Sequence, residues 1–379
     1  DTRGIPHEAI QRAFNELIRR HDMLRAIVQP DGQQRVLEKV PEYKIEIRND
    51  EKCEEIRERL SHQVFDTATW PLFHIEAIAK PDGGTRYFVS FDVILGDAWS
   101  LQILGREMKQ LLLGMPLPPL ALTFRDYVLA ERAHNERPEA EASWWHWQEK
   151  VPPLPAAPEL PLIKSPAELE KPEVNRRSAR LTAAQWTALK EKARQHRLTD
   201  SGFVLAVFAE VLGTWSRKRS FTINLTLFNR QPVHPDIDSV IGDFTSSTLI
   251  ACDQRNSESF AGRAADVQST LWESLEHRSV SGVRIIRELA RQQRSGVGAV
   301  MPVVFTSTLG KMTGSTRHED WEADVVFGLS QTSQVYLDHQ VSEIDGELVL
   351  NWDCIESLWP TGVVDEMFAS YQAFLISLT

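Results

Sequence analysis

Seven prolines, Pro152, Pro153, Pro155, Pro158, Pro161, Pro166 and Pro172, crowd into about twenty residues near the middle of the chain. Proline lacks an amide hydrogen and holds φ near −65°, so neither a helix nor a central strand continues through such a stretch. The chain is thereby divided in two. Its 379 residues are also too many for one ordinary core. The division predicts a first subdomain over residues 1–151 and a second over 173–379. Residues 152–172 would form an extended, semi-rigid and exposed connection between them.

Each half mixes helices with strands. Ile10, Ala13, Phe14, Leu17 and Ile18 recur at helical spacing, which predicts an amphipathic helix from His7 to Arg19. RHDMLRAIV (Arg20 to Val28) passes into a strand, Pro30-Asp31-Gly32 supplies a turn, and a polar helix is expected around Glu51 to Val64. TRYFVSFDVIL (Thr85 to Leu95) is β-branched and aromatic, so it reads as a buried strand ending at Gly96. Ser100 to Leu113 has helical periodicity with Ser100 as its N-cap, and ASWWHWQEK (Ala142 to Lys150) ends another helix.

Beyond the prolines, Leu181 to His196 is an amphipathic helix capped by Thr182, and Thr199 to Trp215 is a more apolar one. Strands are expected at Phe221 to Asn229, Met301 to Leu309 and Ser333 to Val341. Asp345-Gly346 turns the last of these into ELVLNWD, and Val363 to Leu378 is a closing helix. The fold class is α+β.

The formal net charge of −11 argues against a nucleic-acid partner, which needs an accessible basic surface. Cys53, Cys252 and Cys354 are odd in number and have neither disulfide nor zinc spacing, so no metal is expected and a reducing cytoplasm fits. No run approaches the roughly 20 apolar residues of a membrane span, and no membrane partner is expected. The opening DTRGIPHEAIQRAF reads as a domain already under way.

Several polar residues stand out. Asp92 and Asp97 lie five apart in FDVILGDAWS (Phe91 to Ser100), at the end of an apolar run. That spacing makes no compact metal site, and pairing with an arginine to hold the loop is the simpler reading. In VVFTSTL, Val304, Thr306 and Thr308 share one face of a strand; in SQVYLDHQV, Gln334, Tyr336, Asp338 and Gln340 form a polar face. A mid-strand carboxylate such as Asp338 is costly unless solvated, paired or functional. Asn224 and Asn229, in NLTLFNR, suit either a substrate carbonyl or a turn. His21 reads as a satisfied structural histidine, Trp144, Trp145 and Trp147 as core packing, and Gly83-Gly84 as a hairpin turn without a phosphate-binding helix behind it.

Taken together, RHDMLR, FDVILGDAWS, PELPL (Pro158 to Leu162), NLTLFNR and GDFTS (Gly242 to Ser246) resemble the heterocyclization domains of nonribosomal peptide synthetases. HRSVSGVRIIREL (His277 to Leu289), PVVFTSTLG (Pro302 to Gly310), SQTSQVYLDHQ (Ser330 to Gln340) and NWDCIESLWP (Asn351 to Pro360) continue the match in the family's order. Asp92 and Val93 stand where the histidine pair of related condensation domains would be. Ser333 replaces the family's usual proline and Trp359 its usual phenylalanine, and the family's opening block is absent.

The resemblance implies two chloramphenicol-acetyltransferase-like subdomains set in a V around a central tunnel. It implies amide formation between a carrier-bound acyl thioester and carrier-bound Cys, Ser or Thr, then cyclodehydration to a thiazoline or oxazoline. The domain would bind no cofactor itself, its substrates arriving on the phosphopantetheine of upstream and downstream carrier domains, beside an adenylation domain. It assigns the catalytic work to Asp338 and Thr306. Asp92, Asp97 and Ser100 are left as structural residues near the site, and Asn224, Asn229 and Gln334 as candidate substrate contacts. The alternatives are a condensation domain that forms only the amide, and a non-catalytic carrier-docking member.

Overall fold

The computed structural model describes residues 1–48, 52–169, 173–293, 301–310, 322–332 and 334–379. Pro172, Ser333 and the predicted helix start at Glu51 lie outside the described residues. The chain folds as two compact units, and neither is continuous in sequence. The first takes Asp1–Ala133, Phe228–Thr245 and the described residues within Thr316–Gly328. The second takes the described residues of His134–Leu227, Ser246–Ser315 and Leu329–Thr379.

The first unit contains β1 (Thr2–Arg3), α1 (His7–Arg20), β2 (Ala26–Val28), β3 (Gln34–Val36), β4 (Glu46–Ile47), α2 (Cys53–Ser61), β5 (Phe73–Ala79), β6 (Thr85–Phe91) and α3 (Ala98–Leu112). In α4 (Phe124–Asn135) the chain passes to the second unit. β5 and β6 form an antiparallel hairpin, and Gly83 takes the left-handed φ of 81° its turn requires. α1 buries Ile10, Phe14, Leu17 and Ile18, with Phe14, Tyr43 and Phe73 packed edge to face. Ile237, Val240, Ile241 and Phe244 belong to this same core although they lie far along the chain. The expected buried strand at Thr85 to Leu95 stops at Phe91, is half-buried, and leaves Val89 exposed. An antiparallel strand needs only one covered face, so its apolar composition overstated its burial.

The second unit begins with α5 (Pro138–Lys150) and β7 (Val174–Leu181), followed by α6 (Ala183–Gln195), α7 (Asp200–Trp215), β8 (Ser220–Phe228), β9 (Thr245–Asp253), α8 (Phe260–Glu276) and α9 (Gly282–Gln293). Then come β10 (Val303–Ser307), β11 (Glu322–Ala323), β12 (Leu337–Ile344), β13 (Glu347–Ile355) and α10 (Val363–Ser377). β11 pairs with β1, so it completes the first unit's sheet, whose order is β11-β1-β6-β5-β4. The second sheet runs β7-β13-β12-β10-β8-β9, with β10 parallel to both β12 and β8. Asp345 and Gly346, at φ 52° and 80°, make the tight β12–β13 turn. α6 is capped reciprocally by Thr182 and Gln185, and Thr199 caps α7. Among the described residues no single helix is long and apolar enough to cross a membrane.

The proline stretch does not connect the two units: its described residues belong to the second, although about half of them are exposed as expected. It is stitched to the second unit: Thr222 Oγ1 donates to the Pro155 carbonyl at 2.6 Å, the Thr222 amide donates to the Ala156 carbonyl at 2.9 Å, and the Ile163 amide donates to the Leu358 carbonyl at 2.8 Å. Pro158 and Leu160 are buried, while Pro152 and Pro153 are exposed. A proline-rich strip has few amide donors of its own, but its carbonyls still satisfy a neighbour's.

Candidate active site

Alternation separates the two faces of the second sheet. Leu225 of β8, Phe305 of β10, Leu337 and His339 of β12, and Leu350 and Trp352 of β13 enter the core, where Phe208 of α7 meets Phe305, His339 and Trp352. His339 is wholly buried, its Nε2 2.8 Å from the Tyr371 hydroxyl, and burial pushes its pKa down to about 3, so it stays neutral.

The opposite face is polar. Register places Val304 opposite both Asp338 and Asn224, and Thr306 opposite Gln340 and Thr226. Asp353 of β13 lies opposite Asp338, and Arg176 of β7 lies opposite Asp353. Five strands thus bring Asn224, Thr226, Thr306, Asp338, Gln340, Asp353 and Arg176 to one surface.

Asp338 is the anomaly on that surface. It is 8% exposed; Gln340 Nε2 donates to its Oδ2 at 2.8 Å, while its Oδ1 is buried without a partner among the described residues. Burial pushes its carboxyl up to about 6. The Gln340 amide and Arg176 oppose that rise, and the nearby Asp353 charge adds to it. The Thr306 hydroxyl donates at 2.9 Å to Thr226 Oγ1. Asp353, by contrast, is fully engaged: Arg176 holds it in a two-pronged pair at 2.7 and 2.5 Å, and the Ser330 amide donates to it at 3.2 Å. A half-satisfied carboxyl poised near neutrality can accept a proton and return it.

The structure therefore brings Asp338, Thr306 and Asn224 together, and Asn224 Oδ1 is also buried without a partner among the described residues. Gln334 and Asn229 do not join them. Gln334 is exposed at φ 67°, before β12 begins at Leu337, and Tyr336 turns into the core against Trp359. Asn229 lies just past β8 in the first unit, where its Oδ1 accepts from Gln231 Nε2 at 3.0 Å and its carbonyl accepts from the Tyr127 hydroxyl. That is the turn alternative. Arg176 and Asp353 complete the surface; in the sequence only the alternation of Asn351 and Asp353 in LVLNWDC marks the latter.

The first unit's aspartates brace a loop. Asp97 Oδ1 accepts from the Ser100 amide at 2.8 Å and the Ser100 hydroxyl at 2.7 Å, and pairs with Arg230 Nη2 at 3.1 Å. Both charged side chains are almost wholly buried. Arg230 also donates to the carbonyls of Ile237 and Val240 and lies 3.8 Å over the Phe244 ring. Ser100 Oγ in turn accepts from the Gly242 amide at 3.2 Å. The N-cap of α3 is thus Asp97, and Ser100 lies inside the first turn. Asp92 accepts from the Ile94 amide at 3.0 Å and caps a short 3-10 turn.

The remaining expectations divide. His21 is buried with Nε2 2.7 Å from Glu107 Oε2, as a structural histidine would be. Trp147 is buried, but Trp145 is 61% exposed, and Trp144 carries the Arg284 guanidinium 3.8 Å over its ring.

A condensation-domain family model matches residues 2–379. The chain is 38% identical over 378 residues to bacitracin synthase 1 of Bacillus licheniformis, covering 96% of this chain and 7% of that protein. It is 34% identical to phenyloxazoline synthase MbtB of Mycolicibacterium paratuberculosis, covering 97% of this chain and 32% of that one. Its fold superposes with a TM-score of 0.91 on the EpoB NRPS cyclization-docking bidomain of Sorangium cellulosum, at 36% identity over 99% of this chain and 78% of that one. The chain belongs to the condensation-domain family, within the heterocyclization domains of nonribosomal peptide synthetases. It spans less than a third of the length of either curated relative named here.

Proposed function

We propose that this domain joins a carrier-bound acyl or peptidyl thioester to the amine of a carrier-bound Cys, Ser or Thr, then closes the product to a thiazoline or oxazoline, with Asp338 moving the protons of ring closure. Amide formation makes modest demands. A free α-amine has a pKa of about 7.7–8.0, so a useful fraction is neutral without a dedicated base. Orienting two tethered reactants can remove roughly 7–11 kcal/mol of barrier.

Ring closure needs more. The side-chain thiol or hydroxyl attacks the new amide carbon, and the former carbonyl oxygen must leave as water. The Asp338 carboxylate takes the S–H or O–H proton and passes it to that oxygen, giving a hydroxyl. It then takes the N–H proton and passes it to the same oxygen, which departs as water while the C=N bond forms. Both protons end in the water, and Asp338 returns to its starting state. Assistance of this kind is typically worth ~10²–10⁴-fold. Thr306 supports the reading as a hydroxyl on the adjacent strand and the same face. Asn224, on the same face with its Oδ1 buried and unpartnered among the described residues, supports the reading as an acceptor for a substrate amide N–H.

The observation that carries the proposal is a buried carboxyl with one oxygen unpartnered among the described residues and a pKa pushed up to about 6. With carrier domains loaded with a short acyl donor and cysteine, intact mass should show a product about 18 Da lighter than the linear amide, one water lost in the acid–base step. Asp338→Ala should leave the linear amide to accumulate, and Thr306→Ala should do so more mildly. Equal loss of both products in Asp338→Ala would refute the division of labour.

A further inference from the structure

We propose that Gln340 and Arg176 are positioning residues for ring closure: Arg176 fixes which way the Gln340 amide points, and Gln340 thereby holds the Asp338 carboxylate with one oxygen engaged and the other open. This deepens the cyclodehydration reading and rests on it. Arg176 Nη2 donates to Gln340 Oε1 at 3.0 Å. A guanidinium offers only donors, so the Gln340 carbonyl must face it, and the Gln340 NH₂ must face the other way. There it meets Asp338 Oδ2 at 2.8 Å and Asp353 Oδ2 at 3.3 Å. A flipped amide would aim its oxygen at two carboxylates and its NH₂ at a cation.

Arg176 is itself held in place by its two-pronged pair with Asp353, which is buried. The chain of orientation therefore runs Asp353, Arg176, Gln340, Asp338 across β13, β7 and β12. Every link is a hydrogen bond to a charged group, the stronger kind. The charged groups acting on Asp338 are Asp353, which raises its proton affinity, and Arg176, which lowers it. From β10 it meets only the uncharged Val304 and Thr306. With those two charges opposed, the Gln340 amide is the leading influence that keeps burial from driving the carboxyl higher still.

The test follows ring closure and amide formation separately, against pH, in the intact protein with loaded carriers. Gln340→Met keeps volume and removes the amide. It should slow ring closure about tenfold to a hundredfold, the value of a hydrogen bond to a charged group, and leave amide formation within about twofold. The lower inflection in the pH profile of ring closure should move up from about 6 by about one unit, because the carboxylate loses its donor. Arg176→Lys keeps the charge beside Asp353 but lacks the fork that reaches Gln340, and should shift the profile in the same direction by less. It also keeps the question open to refutation should Gln340→Met fold poorly.

An unmoved inflection in either folded variant overturns the proposal, as does equal loss of both steps. Ring closure at the unsubstituted rate in Asp338→Ala would instead sink the assignment of Asp338 itself. Loss of ring closure in Asp338→Ala with none in Gln340→Met would sink only the present inference.

Discussion

Asp338 and His339 are adjacent, yet one faces a polar surface and the other the aromatic core beside the Tyr371 hydroxyl. Burial raises the proton affinity of the first and lowers that of the second, because in both it disfavours the charged form. This has a consequence for stability. An unfolded aspartate titrates near 3.8, and Asp338 in the fold near 6, so folding favours its protonated form. The stability this contributes is fully present below about pH 4 and is lost as pH rises through about 6. Asp338→Asn resembles the protonated side chain and should be the more stable protein at pH 7.5, by at most about 3 kcal/mol. The difference should shrink towards pH 4.5, and denaturant midpoints of both proteins at the two pH values would measure it. Strand alternation alone marked Asp338 as a carboxylate on a polar strand face, whereas Thr306 was marked only by the family resemblance. Arg176 was marked by neither. Its partner Asp353 is 177 positions away, and only strand register brings them together.

At the scale of elements, helix ends and turns were read well where one side chain decides them. Thr182 caps α6, and Asp345-Gly346 turns β12 into β13. They were misread where two neighbours compete. Ser100 and Asp97 both have cap chemistry, and Asp97 wins because it can accept from the Ser100 amide while also meeting Arg230. Asp97→Ala removes that cap and leaves a buried guanidinium without its counter-charge, although Arg230 keeps two carbonyl acceptors. The expected cost is roughly 3 kcal/mol, read as a fall in melting temperature. A variant of unchanged stability that had lost ring closure would instead mark Asp97 as a direct participant. Gln334 was misplaced for a different reason: its left-handed backbone takes it out of the strand pattern before β12 starts.

At the scale of the whole molecule, the chain does not divide at its prolines. The first unit's core includes Ile237, Val240, Ile241 and Phe244, and its buried Asp97 is paired by Arg230. Residues 1–151 expressed alone therefore lack part of their own core and should show no cooperative thermal unfolding by circular dichroism. Adding residues 228–245 as a tethered segment should restore it. A sharp, independent transition in the 1–151 fragment would show that the borrowed segment is dispensable.

From the sequence alone came the α+β class, most helix and strand positions, the strand faces carrying Asp338 and Thr306, and the family. Those are local or pattern-borne properties, set by side-chain periodicity, turn chemistry and motif order. Only the tertiary structure decided which distant segments complete each core, which carboxylate is paired and which is left half-open, and where the proline strip lies. Such outcomes depend on register and burial between residues far apart in the chain, and a pairing across strands has no signature in either strand by itself.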